Sequence, residues 1–147
     1  GLDNPTAKMS KSEASDYHAI YLLDAPNVVK KKVMRAVTDS YGEIRFSSEE
    51  DRAGVNNLLT IYQALSGETN QVIEAHFAGK GYGDLKKAVV EQVNNRLQPL
   101  QDTYQRLMNE TGYLDHILAE GAARAETVAT KTLQTVKERM GFVARSR

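Results

Sequence analysis

The sequence contains no cysteine, which excludes disulfide bonds and thiolate metal sites. No apolar run is long enough to cross a bilayer, and the chain does not start with a signal-peptide pattern. The formal net charge is zero, because 19 basic residues balance 19 acidic ones. Proteins that bind nucleic acid mainly through phosphate neutralisation are basic overall, so any RNA contact must come from a local patch. These absences favour a soluble, cytoplasmic protein without a metal site.

What the sequence does contain is typical of a folded domain. Its 147 residues are 41% hydrophobic and 26% charged, enough to bury one core. The first six residues, GLDNPT, include no initiator methionine, and they predict a chain cut from a longer protein.

Helical periodicity dominates after residue 24. Asp24 is predicted to cap a helix with Pro26 in its first turn, ending near residues 38–40. Thr69 is predicted to cap another helix and Asp84 a long one, kinked by Pro99 near residues 95–98. The apolar positions of these helices are Val29, Val33, Ala36, Val37, Val55, Leu58, Leu59, Tyr62, Leu65, Val72, Ile73, Phe77, Leu85, Val89, Val93, Leu97, Leu100, Tyr104 and Leu107.

A last long helix is predicted over about residues 112–140. Its small residues Gly121, Ala122 and Ala125 would let a neighbouring helix approach closely. Two short segments, 19–23 and 43–46, are interpreted as strands or extended connectors. The predicted fold is therefore all-α, an antiparallel helical bundle preceded by an extended leader.

Residues 8–12, KMSKS, lie in that leader and carry the strongest functional signal. Lysine places a point charge on a flexible stem, and serine hydroxyls and backbone amides can donate to phosphate oxygens. The pentamer therefore suits a mobile loop that binds a polyphosphate, whereas Lys and Ser near a terminus can also form a solvated tail. His18 follows soon afterwards, and without a nearby second ligand it is predicted to be a surface residue.

The pentamer is the signature of class I aminoacyl-tRNA synthetases. Further segments, in the same order, make the chain resemble the C-terminal portion of bacterial-type tryptophanyl-tRNA synthetases. They are residues 36–40 (AVTDS), 57–62 (NLLTIY), 82–87 (YGDLKK), 121–122 (GA) and 140–142 (MGF). Position 13 is Glu13 where many relatives have aspartate, and both are acidic.

The resemblance implies ATP-dependent activation of tryptophan to an adenylate and transfer to tRNA(Trp), with Mg²⁺ accompanying ATP. It assigns Lys8 and Lys11 to catalysis at the departing pyrophosphate. The ATP-binding set comprises Lys8, Met9, Ser10, Lys11 and Ser12, with Met9 anchoring the loop on an apolar surface. The HIGH motif and the tryptophan pocket would lie in an upstream Rossmann domain outside this chain. The isolated chain would then be inactive, and the parent a homodimer without membrane contact.

The resemblance also implies that residues 1–23 are the loop and tail of the catalytic domain, and residues 24–147 an anticodon-binding helical domain. The candidate tRNA contacts are Asp39, Lys86, Lys87, Lys31 and Arg35, each of which could instead be a solvated helix position. A non-catalytic helical RNA-binding or interaction module is the alternative function, and a tyrosine-specific synthetase is a third possibility.

Overall fold

The computed structural model describes residues 1–10 and 15–142. Every regular element in that part of the chain is helical, which confirms the predicted all-α class. The α-helices are α1 (Pro26–Arg35), α2 (Ala53–Ser66), α3 (Asn70–Phe77), α4 (Tyr82–Asn109) and α5 (Thr111–Arg139), and a 3₁₀ turn, Glu50–Arg52, leads into α2. Neither of segments 19–23 and 43–46 is a strand: residues 22–23 lie in a turn, and residues 43–46 form a connector without regular structure. None of the described helices is both long and apolar enough to cross a membrane.

The chain divides into two compact units, Gly1–Asp102 and Thr103–Arg147. The core belongs to the first unit, and α2 contributes most to it with Val55, Leu58, Leu59 and Tyr62. Leu2, in the leader, is also buried, so the leader is part of this core rather than a tail on its surface. The remaining core residues are Val29, Val33, Ala36, Ile44, Ile73, Phe77, Leu85, Val89 and Val93.

The start of α1 differs from the prediction. Pro26 occupies the first turn as expected, but the residue at the N-cap is Ala25 and no side chain caps the helix. Asp24 instead accepts a hydrogen bond of 2.6 Å from Lys32 Nζ. Lys32 is accordingly only 4% exposed. The ion pair explains how a lysine can be buried here. The helix ends at Arg35, before residues 38–40.

The other helix ends follow local chemistry. Gly67 terminates α2, with a φ of 75° that glycine adopts without steric cost. Thr69 stands at the N-cap of α3, but its side chain makes no capping hydrogen bond. Asp84 lies in the first turn of α4, where it accepts a hydrogen bond of 3.4 Å from the Gly81 N–H. The helix α4 continues through Pro99 to Asn109.

The helix α5 has no buried residue. A Cβ atom added at Gly121 would meet nothing within 4 Å, so the close helix packing predicted at the small residues is not observed. Large apolar side chains such as Leu118 and Val128, each 69% exposed, face solvent. The periodicity predicted this helix correctly, but it carried no information about what covers the apolar side.

Candidate functional site

The segment that carries the lysines begins with a tight turn. The Ala7 N–H donates to the Asn4 carbonyl over 3.2 Å, and the Thr6 hydroxyl donates to the Asn4 side chain over 2.9 Å. Asparagine followed by proline is a favourable start for such a turn, because Pro5 presets φ at the second position. After the turn, Lys8, Met9 and Ser10 run in an exposed stretch without helix or strand. Lys11 and Ser12 lie outside the described residues.

The residues that precede the turn are hydrogen-bonded to three other parts of the chain. The Leu2 N–H donates to the His18 carbonyl over 2.9 Å, and the Leu2 carbonyl accepts from the Val37 N–H over 2.9 Å. The Asn57 side chain donates to the Gly1 carbonyl over 3.3 Å. These bonds connect the base of the segment to the core and to α2, so the exposed stretch projects from a fixed base.

His18 lies within that base. Its ring is only 3% exposed, so the predicted surface position is wrong. Nδ1 is 2.7 Å from Asp3 Oδ1, and Nε2 is 3.1 Å from the Lys8 carbonyl oxygen. No local sequence pattern indicates this arrangement, because the two partners of His18 lie 15 and 10 residues away. Contacts between residues so far apart depend on the path of the whole segment.

The hydrogen bonds shift the ionisation of both groups. The Lys8 carbonyl and then the Asp3 carboxylate raise the pKa of His18 above 6.5, against the effect of desolvation. Hydrogen bonds from Ser15 and then His18 lower the pKa of Asp3 below 3.8, again against desolvation. Asp3 is therefore an anion and His18 gains proton affinity, which favours a charged pair at the base of the segment.

Met9 lies beside an apolar groove of about 190 Å³ in the first unit. The groove is also lined by Ile20 and Leu22 from the leader and by Ile61 and Leu65 from α2. The Met9 side chain is 42% exposed, so it covers the groove without being buried in it. This position is compatible with the predicted role of Met9 as an apolar anchor next to the lysine that precedes it.

The predicted tRNA contacts fall into two groups. Lys31 is exposed on α1, and the Lys87 side chain is 73% exposed, with Asp84 3.4 Å away. Arg35 is also exposed, but its guanidinium stacks 3.9 Å from the centre of the Tyr17 ring. These three residues can reach a ligand in solvent. A surface groove between α1 and α4 brings Lys30 together with Lys87.

The Lys86 side chain forms hydrogen bonds within the fold. Its ammonium donates to the carbonyls of Ala36 over 2.8 Å and Met34 over 3.2 Å, where the last carbonyls of α1 lack helical partners. Burial lowers its pKa.

The Asp39 side chain forms hydrogen bonds within the fold as well. Its carboxylate is 4% exposed and lies 3.1 Å from Nε of Arg52, a residue that is 1% exposed. The same carboxylate accepts hydrogen bonds from the Tyr82 hydroxyl and from the Tyr41 N–H. Burial raises the pKa of Asp39, but the hydrogen bonds from Tyr82, Tyr41 and Arg52 outweigh it and lower the pKa below 3.8.

The described residues provide no metal-binding cluster. Within 1–10 and 15–142, no three histidine, aspartate or glutamate side chains come together in a way that could hold a metal ion. Asp3, Asp24 and Asp39 are each paired instead with a buried basic residue, which is His18, Lys32 and Arg52 respectively.

Comparison with known proteins gives a consistent result. The family model for class I tRNA synthetases (W and Y) matches residues 1–98. Tryptophan–tRNA ligase from Wolinella succinogenes is 49% identical over 143 residues, covering 97% of this chain and 43% of the relative. The ligase from Helicobacter pylori strain J99 is 46% identical, with the same coverage of 97% and 43%. The chain thus spans less than half the length of these curated relatives.

A solved structure agrees with the sequence comparisons. The crystal structure of tryptophanyl-tRNA synthetase from Mycoplasma pneumoniae superposes with a TM-score of 0.68 at 36% identity. The match covers 97% of this chain and 45% of the other. At this identity and TM-score the two proteins share their fold over the matched part.

Proposed function

We propose that the chain is the C-terminal part of a tryptophan–tRNA ligase. The basis is that the chain belongs to the class I tRNA synthetases for tryptophan and tyrosine. The full-length enzyme activates tryptophan with ATP and transfers the aminoacyl group to tRNA(Trp). Residues 8–12 supply the loop that binds the pyrophosphate, and the helices that follow contact the anticodon end of the tRNA. The observation that carries this proposal is the KMSKS string at residues 8–12, whose described part, residues 8–10, is exposed and follows a hydrogen-bonded base.

The chemistry of this segment is electrostatic. When the adenylate forms, the bond between the α- and β-phosphates breaks and negative charge accumulates on the departing pyrophosphate. An ammonium group that approaches only at this stage binds the transition state more tightly than it binds ATP, which accelerates the step. Lys8 and Lys11 are the proposed donors, and Ser10, Ser12 and the backbone amides add hydrogen bonds. Mg²⁺ is expected to arrive with ATP through its phosphate oxygens.

Other features of the whole enzyme are part of the same proposal. The tryptophan pocket lies in the part of the relatives that this chain does not match, and the parent is a homodimer. The site of action is the cytoplasm, where tRNA is charged. Relatives that are named tryptophan–tRNA ligases, with identities of 49% and 46%, support tryptophan over tyrosine as the substrate.

The isolated chain is expected to be inactive. Tryptophan-dependent ATP–pyrophosphate exchange by the purified 147-residue chain should not exceed that of a sample without protein, because the chain holds only the loop side of the site. A chain that sustains exchange on its own would contradict this division of the active site.

A filter-binding assay with tRNA distinguishes the non-catalytic RNA-binding alternative, since a freestanding binder shows strong, salt-sensitive affinity.

The exposed lysines between α1 and α4 are proposed to contact tRNA phosphates. Lysine at such a position attracts the backbone without reading the sequence. In the full-length enzyme, Lys30→Ala and Lys87→Ala should each weaken tRNA binding and reduce the slope of log affinity against log salt by about 1. Lys131→Ala, on the exposed side of α5, is the matched control. If the salt slopes of Lys30→Ala and Lys87→Ala equalled the slope of the Lys131→Ala control, the tRNA would bind elsewhere.

A further inference from the structure

We propose that His18 is a positioning residue that holds the Lys8 main chain to Asp3 through an imidazolium, and thereby sets where the Lys8 side chain begins. This inference rests on the proposed function of residues 8–12. The two ring nitrogens bridge the residue before the turn and the first lysine of the pentamer, with distances of 2.7 Å and 3.1 Å. His18 is thus a clamp across the base of the phosphate-binding segment.

The chemistry of the two partners determines the protonation state of the ring. A carboxylate and a carbonyl oxygen both accept hydrogen bonds, and neither can donate one. A neutral imidazole has a single N–H and can satisfy only one of them, whereas an imidazolium donates to both. The complete clamp therefore requires a charged His18. The pKa of His18 is raised above 6.5, which also favours the charged ring, because the two acceptors stabilise the cation.

The surroundings hold the ring in this orientation. A Cβ atom at Gly1 would lie 2.1 Å from the ring, so only glycine leaves space for the imidazole there. The backbone of His18 is bonded at both ends, since its N–H donates to the Ser15 carbonyl and its carbonyl accepts from Leu2. Turning the ring away would break both of its own hydrogen bonds, to Asp3 and to the Lys8 carbonyl.

Deprotonation should open one side of the clamp. The hydrogen bond to the Asp3 anion is the stronger one, so the neutral ring keeps its proton on Nδ1. Nε2 then presents a lone pair to the Lys8 carbonyl, and the two acceptors repel each other. In the 147-residue chain the charged groups that face the ring are Asp3, which raises the pKa of His18, and the amino group of Gly1, which lowers it. The clamp is complete below pH 6.5 and is lost as the pH rises through the raised pKa of His18.

The protonation state is measured directly by ¹⁵N NMR of the histidine rings in the 147-residue chain. At pH 6 both nitrogens of His18 should carry protons, and the His18 pKa should exceed 6.5. Asp3→Asn should lower that pKa, because the variant removes the anion. A His18 ring that is neutral at pH 6, or a pKa that does not respond to Asp3→Asn, would overturn the clamp.

The catalytic consequence is tested in the full-length enzyme. His18→Gln remains neutral and cannot donate to both acceptors in this geometry. It should lower kcat for tryptophan-dependent pyrophosphate exchange by up to about 100-fold, the scale of small misplacements of catalytic groups, with a smaller change in the KM for ATP. It should also remove the loss of kcat that accompanies deprotonation of His18. His116→Gln, on the exposed side of α5, is the control and should leave both quantities unchanged.

The readouts separate the possible outcomes. A purely structural role would reduce thermal stability and the amount of active enzyme without changing the shape of the pH profile, and that result overturns the proposal. If the unmodified full-length enzyme shows no exchange, the proposed function fails, whereas the NMR result still tests the clamp. If exchange is normal and His18→Gln keeps the parental kcat and pH profile, only the positioning role is refuted.

Discussion

Replacing Lys8 or Lys11 by alanine in the full-length enzyme is expected to lower the rate of tryptophan-dependent pyrophosphate exchange about 10²–10³-fold. The magnitude follows from the loss of one charged donor at a developing anion, which costs about 2.7–4 kcal/mol in comparable sites. Affinity for ATP should change much less, because the ammonium groups act on charge that appears as the pyrophosphate departs. Initial rates at saturating ATP, together with equilibrium ATP binding, provide the measurement.

Two controls make this result specific. Lys80→Ala removes an exposed lysine elsewhere in the first unit and should leave the exchange rate at the parental value. Lys8→Arg keeps the charge but changes its shape, so it should recover part of the rate. If ATP affinity and rate fell by the same factor in Lys8→Ala, the lysine would bind ground state and transition state equally.

Asp39→Ala is expected to destabilise the 147-residue chain by about 3–5 kcal/mol, as found when one partner of a buried ion pair is removed. Arg52 is 1% exposed, and without Asp39 its guanidinium would remain in the core without its nearest anion. The free energy of unfolding in urea gives the measurement. Asp115→Ala, at an exposed position of α5, should change it by no more than about 0.5 kcal/mol.

The Asp39 interaction also has a defined pH dependence. Because the folded chain lowers the pKa of Asp39 below 3.8, its contribution to stability is present above pH 3.8 and is lost as the pH falls through the lowered value. Asp39→Asn keeps the size of the side chain but not the charge, so it should show a smaller loss and less acid sensitivity. If Asp39→Ala unfolded like the control but bound tRNA more weakly, Asp39 would be a tRNA contact as the sequence suggested.

Helical periodicity predicted most of the fold. The spacing of Val55, Leu58, Leu59 and Tyr62 indicated α2, and all four residues are buried. The same approach was less accurate at helix edges, where Val37 and Val72 were assigned to the core but are 43% and 50% exposed. Periodicity identifies the apolar side of a helix, whereas the extent of burial depends on neighbouring elements that a single sequence does not specify.

Charge pairing was not predictable from the sequence. Lys86 and Asp39 were both selected as exposed tRNA contacts, yet each has partners far along the chain. Lys86 donates to a carbonyl 50 residues away, and Asp39 accepts from Tyr82 43 residues away. The local pattern showed a charged residue near a helix end, which usually means solvent exposure. Only the tertiary arrangement determines which of these charges stabilises the fold and which remains available, as at Lys87.

The function of residues 8–12 could be predicted from the sequence, whereas the role of the histidine at the base of their segment could not. The string of residues 8–12 was sufficient to indicate a function, because that motif has a specific chemical use. The residue that holds its base, His18, lies outside the motif and was assigned to the surface. A histidine with two acceptors has no sequence signature of its own, and it became recognisable only from the distances to Asp3 and Lys8.

The central claim is that two ammonium groups assist the departure of pyrophosphate. It is tested most directly by single-turnover formation of tryptophanyl-adenylate in the full-length enzyme at saturating ATP and tryptophan. The Lys8→Ala/Lys11→Ala double variant should still bind ATP but form adenylate far more slowly than the parent. Adenylate formation at the parental rate in the double variant would contradict the assignment of residues 8–12 as the pyrophosphate-binding loop.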